Sequence, residues 1–335
     1  MLRPYLAAAL ALAVAEPSVD PSGPASAPLA PVAIDEFTVP WPDTRPRDPS
    51  VDARGRVWFA GQQGNYVGVF DTAARTFRKI DLEPGTHPHN VVVGPDGGVW
   101  YAGNRNARIG RLDPESGRIR TFPTPEPATD PHTLVFAPDG RLWFTAQQGN
   151  VVGRLDPKTG AVRLARPSVP DARPYGIIVD PSGTPWVNLF GTNRIARVDP
   201  RAMTMREYEL PDARARGRRI ARTSDGGIWY VDYVRGMLGR MDPASGRIEE
   251  WPAPSGQRSL PYAMAADDRD RLWYVESGPQ PNRLVGFDAR TKRVVSETPI
   301  ARSGGGTVRH MVFEPKTRTL WFGTDANTLG RARVP

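Results

Sequence analysis

Three of the four histidines in this 335-residue chain share one address: His89, His132 and His310 each stand eleven residues before a tryptophan. The same count back from four other tryptophans reaches Arg47, Tyr175, Arg218 and Tyr262. One recurring position therefore carries only imidazole, phenol and guanidinium groups. An imidazole can take a proton near neutral pH, while phenols and guanidiniums can hold the negative charge that develops as it does so. The plain alternative is a wet channel whose polar lining bonds only to water. A second recurring position, three or four residues after each tryptophan, holds Gln62, Asn104, Gln147, Phe190, Asp232, Glu276 and Asp325. Carboxylates and amides placed opposite histidines are what a hard cation or a general-base site requires, and ordinary strand-end capping is the competing reading.

The elements that must position these groups follow from the tryptophans. Trp58, Trp100, Trp143, Trp186, Trp229, Trp273 and Trp321 recur at intervals of 42, 43, 43, 43, 44 and 48 residues, with no long helical pattern between them. A period in the forties built from short alternating strands predicts an all-β, seven-bladed β-propeller with one four-stranded blade per repeat. In such a ring the strand that begins at the histidine position lies beside the axis. Blade two shows the plan: a β-branched first strand from His89, a turn at Pro95-Asp96-Gly97, a second strand at Val99–Ala102 carrying the tryptophan, and a third at Arg108–Leu112. An Asp-Pro-x-x-Gly turn, as at Asp113–Gly117, then leads to an outer fourth strand. An asparagine precedes the third strand at Asn65, Asn106, Asn150, Asn193, Asn282 and Asn327, read as a loop cap bonded to its own backbone.

The last repeat stops after its third strand, and Ile34–Pro40 matches the fourth strand of other repeats. The ring is therefore expected to close by pairing this N-terminal strand into the C-terminal blade, which also covers an exposed edge. Residues 34–335 form one domain on this reading. Residues 1–15 read as a secretory signal, with an apolar run ending in Ala13-Val14-Ala15 and cleavage before Glu16; residues 16–33 read as a Pro-, Ala- and Ser-rich disordered tether. Export to the periplasm or the medium follows, with no stable membrane anchor.

Composition removes further classes. There is no cysteine, hence no disulfide, thiolate metal site or cysteine nucleophile. The formal charge is +8, but arginines such as Arg111, Arg154, Arg197, Arg240 and Arg331 recur at one repeat position. That spreads positive charge around the ring instead of gathering it into a nucleic-acid patch.

The repeats Pro-His-x-hydrophobic, Asp-Gly-x-hydrophobic-Trp and Asn-x-hydrophobic-Gly-Arg-hydrophobic resemble the streptogramin B lyase (virginiamycin B lyase) family from Ile34 to Pro335. The resemblance implies elimination at the ester of a cyclic depsipeptide, with a histidine as base on a proton α to a carbonyl and Mg²⁺ near carboxylates polarising that carbonyl. Blade for blade, the family's seventh-blade histidine is matched by His310 and its distal glutamate by Asp325, while Tyr262 and Val308 replace its other two residues. Blades two and three offer a rotated alternative in Pro88-His89 and Asp130-Pro131-His132, with Gln147 at the distal position.

On the resemblance, His310, His132, His89 and Tyr262 are the catalytic candidates. Arg47, Tyr175 and Arg218 would bind substrate, and Asp325 and Asp130 would hold the metal. A small-molecule or peptide ligand at the mouth and a monomeric protein are expected. Two other readings stay open: a non-catalytic propeller binding a peptide, glycan or protein partner, and a metal-dependent lactonase using Glu276, Asn188 and Asp232.

Overall fold

A computed structural model describes residues 30–303 and 306–335 of the chain. The expected signal and the tether as far as residue 29 lie outside the described residues. Seven four-stranded antiparallel sheets form the ring, six of them running in chain order from an inner to an outer strand. Blade one, for example, comprises Pro46–Val51, Val57–Gly61, Tyr66–Asp71 and Thr76–Asp81. The innermost strands of neighbouring blades touch all the way round, including blade seven against blade one. Among the described residues no helix is long and apolar enough to cross a membrane.

Blade seven is completed as expected from the other end of the chain. Its three C-terminal strands, Val308–Glu314, Thr319–Thr324 and Thr328–Arg333, are joined by Ala33–Thr38, with Ala33 opposite Arg333 and Thr38 opposite Thr328. The segment just before it, expected to belong to the tether, is also held. Ala30 O accepts from Ser296 Oγ at 2.7 Å, Val32 N donates to Thr298 Oγ1 at 2.9 Å, and the Val32 side chain is buried with Ile300 and Val334. Val32 is apolar amid small and proline residues, and that is enough to pin it against blade six.

The repeated tryptophans are buried between blades. Trp229 stacks on Trp251 of its own sheet at 5.4 Å and meets Phe287 of blade six at 5.8 Å. Three indole N–H groups are satisfied by the first residue of the inner hairpin: Trp58 donates to Asp52, Trp186 to Asp180 and Trp273 to Asp267 at 2.9–3.2 Å. The expected turn glycine adopts the left-handed region, with Gly97 at φ +75°.

Three of the recurrent asparagines, Asn65, Asn150 and Asn327, reach beyond their own loops. Asn65 Nδ2 donates to the carbonyls of Leu82 and Glu83 at the exit of blade one, and its Oδ1 accepts from the N–H of His87 at the entrance of blade two. Asn150 does the same with Val169 and Arg173, and Asn327 with Val39, Trp41 and Thr44 across the closure. Each of the three is a clamp on the link between blades, whereas Asn282 donates to the carbonyls of Ser277 and Pro279 in its own loop, as expected, and accepts from Val308 N.

Every inner strand carries a register shift after its first or second residue, as between Pro131 and Leu134. A bulge there turns two successive side chains toward the axis instead of one. This local irregularity builds the site.

Candidate functional site

The first of the two axial positions forms a continuous ring. His89 and His132 stack with centroids 3.6 Å apart, and His132 meets Tyr175 at 4.4 Å. The hydroxyls of Tyr175 and Tyr262 hydrogen-bond to each other, and the Arg218 guanidinium lies 3.6 Å from the centre of the Tyr262 ring. Arg47 completes the circle, donating from Nε to Asp48 at 3.1 Å and from Nη1 to Gln62 at 3.0 Å. Six sequence candidates are thus brought together: Arg47, His89, His132, Tyr175, Arg218 and Tyr262.

His310 does not occupy this ring. In blade three Pro131 pairs with Ala146 and five residues join Phe136 to Leu142; in blade seven Val308 pairs with Thr324 and six residues join Phe313 to Leu320. The hairpin is one residue longer, so counting back eleven from Trp321 stops one residue short. Arg309 takes the ring position, and His310 falls into the second axial layer with Asp48, Asn90, Thr133 and Arg219. Its Nδ1 is buried without a hydrogen-bond partner.

That second layer went unnamed in the sequence, although a signal was present: each of Asp48, Asn90, Thr133 and Arg219 is a second consecutive polar residue at the start of an inner strand, where alternation would place an apolar one. Arg219 spans the axis, donating to Asp48 Oδ2 at 3.0 Å, Thr133 Oγ1 at 3.2 Å and the Arg309 carbonyl at 3.1 Å. Asn90 donates to the same Asp48 oxygen at 3.1 Å. At the equivalent place blade four has Gly176, where a Cβ would lie 2.5 Å from the Arg218 carbonyl. Only glycine lets blades four and five approach so closely.

Buried charge sets the protonation of the ring. Burial would raise the Asp48 carboxyl, but Arg47 and Arg219 outweigh it and hold the group ionised well below the usual range. Burial, reinforced by Arg47 and Arg219, lowers His89; burial, His89 and Arg219 lower His132. Burial and Arg219 bring His310 down to about 3. All three imidazoles are neutral at pH 7. The contact of His89 Nδ1 with the His132 carbonyl, 3.2 Å, makes Nδ1 the protonated nitrogen and leaves Nε2 as a lone pair. For Tyr262 burial pushes upward, yet Arg218, Arg47, Arg219 and Arg309 prevail and bring the phenol down to about 8.

The carboxylates are already engaged. Asp325 is gripped by Arg309, Nε to Oδ1 at 3.1 Å and Nη2 to Oδ2 at 2.6 Å, with Arg45 at 3.6 Å. Asp130 accepts the backbone N–H groups of Gln148 and Gly149 at 2.6 and 2.9 Å. Among the described residues no group of three His, Cys, Asp or Glu side chains could hold an ion. The donors present therefore do not fit Mg²⁺.

The second recurring position also splits in the structure. Gln62, Asn104, Gln147, Phe190, Tyr233, Ser277 and Asp325 follow the second strands at the mouth. Asp232 and Glu276 are instead the last residues of those strands and fully buried. Asp232 accepts from the N–H groups of Arg216, Val234 and Arg235, and Glu276 from Ser255 N and Oγ at 2.8 and 2.7 Å. Asn188, also buried, donates to the Arg219 carbonyl. Asp232, Glu276 and Asn188 thus each make capping or strand contacts, with Asp232 Oδ2 and Asn188 Oδ1 left without a hydrogen-bond partner. Surface cavities of about 490 and 540 Å³ lie around Asp96 and Arg111 at the inner-hairpin turns and share none of the axial residues.

These features define a seven-bladed propeller with a cation-rich axial site. The chain belongs to the virginiamycin B lyase family, whose pattern it matches over residues 32–332. No curated protein matches it in sequence. Among solved structures it is similar to a streptogramin B lyase, at 22% identity and a TM-score of 0.82 over 90% of this chain and 98% of that one. A catalytically inactive histidine-to-alanine virginiamycin B lyase from Staphylococcus aureus with quinupristin is alike at 22% identity and TM-score 0.82, covering 90% and 99%. Kuenenia stuttgartiensis hydrazine synthase follows at 14% and 0.72, covering 88% and 97%. At such identities the structural likeness speaks for the fold.

Proposed function

We propose that the protein is an exported, monomeric enzyme that opens an ester or lactone by elimination at its axial mouth. A neutral histidine of the ring, His132 or its stacked neighbour His89, takes a proton α to a carbonyl and β to the ester oxygen. The electron pair passes through the enolate into a new C=C bond and expels the ester oxygen as a carboxylate. Guanidiniums of Arg47 and Arg218 hold the enolate charge where the resemblance would have placed a metal.

The observation that carries this reading is the juxtaposition of two neutral imidazoles with these guanidiniums in one desolvated ring, where charge interactions are strong. Family membership supports the reaction class. A second reading, a non-catalytic scaffold for a peptide, glycan or protein, is favoured by one fact: His89 and His132 are only 6% and 4% exposed, so substrate must reach them past the rim.

Incubating the mature protein with quinupristin, with and without EDTA, and resolving linear from cyclic material by chromatography and fragment mass mapping separates the two. Elimination yields a linear product of unchanged mass, and on this reading the rate is insensitive to EDTA and lost in His132→Ala. Antibiotic that stays cyclic at high protein concentration would put the scaffold first. Sequencing the N-terminus of secreted protein tests export, with Glu16 expected first.

A further inference from the structure

The axial mouth holds more positive charge than its carboxylates neutralise. Asp48 is shared by Arg47 and Arg219, and Asp325 by Arg309 and Arg45. Arg218 has no carboxylate within ion-pair distance among the described residues. Two guanidinium nitrogens are also buried without a hydrogen-bond acceptor, Arg218 Nε and Arg47 Nη2. Arg47 is only 4% exposed, and a buried, unanswered charged donor costs on the order of 1–3 kcal/mol or more. Structures retain such a group where something else supplies the acceptor.

Arg218 is held in place by aromatic faces instead of by an anion. Its guanidinium lies 3.6 Å from the centre of Tyr262, 4.1 Å from Tyr233, 4.9 Å from Phe190 and 5.3 Å from Tyr175. Stacking on ring faces and a hydrogen bond to Tyr175 keep the planar cation oriented, while its Nε–H is left without an acceptor and open to an incoming oxygen. Phe190 and Tyr233 are themselves half-buried rim residues. Gln62, which accepts from Arg47, is a half-buried neutral amide that an incoming oxygen can displace.

We propose that the mouth binds an anionic group, a carboxylate, sulfate or phosphate, on Arg218 and Arg47, so that the natural ligand is an acid or acidic ester. This names the ligand class of the mouth assigned above and rests on that assignment, but binding can be read without any turnover. Tyr262 provides the reporter. Its phenol faces Arg218, Arg47, Arg219 and Arg309 as well as the hydroxyl of Tyr175 and the ring of Tyr233. An anion seated among those cations weakens their pull and moves the phenol upward.

The alkaline titration of tyrosinate absorbance is followed in sodium sulfate and in sodium chloride of equal ionic strength. We expect one tyrosine ionising near pH 8 to shift upward in sulfate, saturably. The apparent affinity falls about tenfold or more in Arg218→Gln, as loss of one charge-assisted contact requires, and is kept in Arg111→Gln on the outer rim. Should Arg218→Gln not fold, Arg218→Lys keeps the stacked charge but not the planar edge, and it too weakens sulfate. Acetate and inorganic phosphate, run alongside, rank the three anion types. No difference between sulfate and chloride in the wild type, or equal responses in the Arg218 and Arg111 variants, overturns the proposal. Sulfate cannot be eliminated, so a silent quinupristin assay beside positive binding removes only the ring-opening chemistry.

Discussion

The inter-blade clamps and the axial ring are both sets of equivalent positions repeated around the same circle, yet they are built on opposite principles. The clamps repeat one side chain, asparagine, with two short amide bonds to the neighbouring links. In blade five the place is taken by Gly236, where any Cβ would lie 1.9 Å from the Gly256 carbonyl. The axial ring repeats its backbone bulge but mixes three side-chain types: Arg47, His89, His132, Tyr175, Arg218, Tyr262 and Arg309 meet at one level. Identical neutral groups satisfy each other locally and add stability in equal increments. Dissimilar charged groups must be satisfied across the whole ring, and two donors there are not. Stability is thus concentrated at the links, and unspent interaction energy at the axis.

The sharpest way to break that comparison is at the closure. Deleting Ala33–Thr38 uncovers the Thr328–Arg333 edge and should abolish a soluble, folded monomer, read by circular dichroism and size exclusion. Next in size is Arg219→Leu, which leaves Asp48 buried with one cation fewer. Denaturant unfolding should lose about 3–5 kcal/mol, and adding Asp48→Asn should recover a large part of it. If the single variant were neutral, the axis would not be an electrostatic unit.

Asn150→Ala removes the bonds to Val169 and Arg173 and should cost about 2 kcal/mol. The same variant should leave sulfate binding at the mouth unchanged, which separates link from axis. The smallest effect is the acid one. His89 and His132 titrate lower folded than unfolded, so the unfolded chain binds more protons as pH falls below about 6.5. Stability is full above that value and declines below it by about 1.4 kcal/mol per pH unit for each histidine. His89→Gln should flatten the slope measured by unfolding at stepped pH.

Much of this was legible in the sequence, for reasons that differ by element. A tryptophan every 42–48 residues and Asp-Gly turns between alternating strands are local signals, and each was read from within one repeat. The N-terminal strand could be paired with the last blade because a three-stranded blade leaves one place to fill. Six of the seven axial residues were found by counting back from the tryptophan, since their hairpins have equal length. In blade seven one extra residue between Phe313 and Leu320 shifted the count, and His310 stood in for Arg309.

The sequence by itself determined the ring, its closure and the chemical types near its axis, because these depend on periodicity and on the faces of short strands. Only the tertiary structure decided which of those groups act together. The clamp role of Asn65, Asn150 and Asn327 is not legible locally because their partners lie 17 or more residues away. Asp232 and Glu276 looked like mouth carboxylates until the end of each second strand placed them inside. Asp325 and Asp130 looked like metal ligands until Arg309 and two backbone N–H groups took up their oxygens. The cage around Arg218 draws rings from blades four, five and six, and its missing carboxylate is visible only when all of them converge.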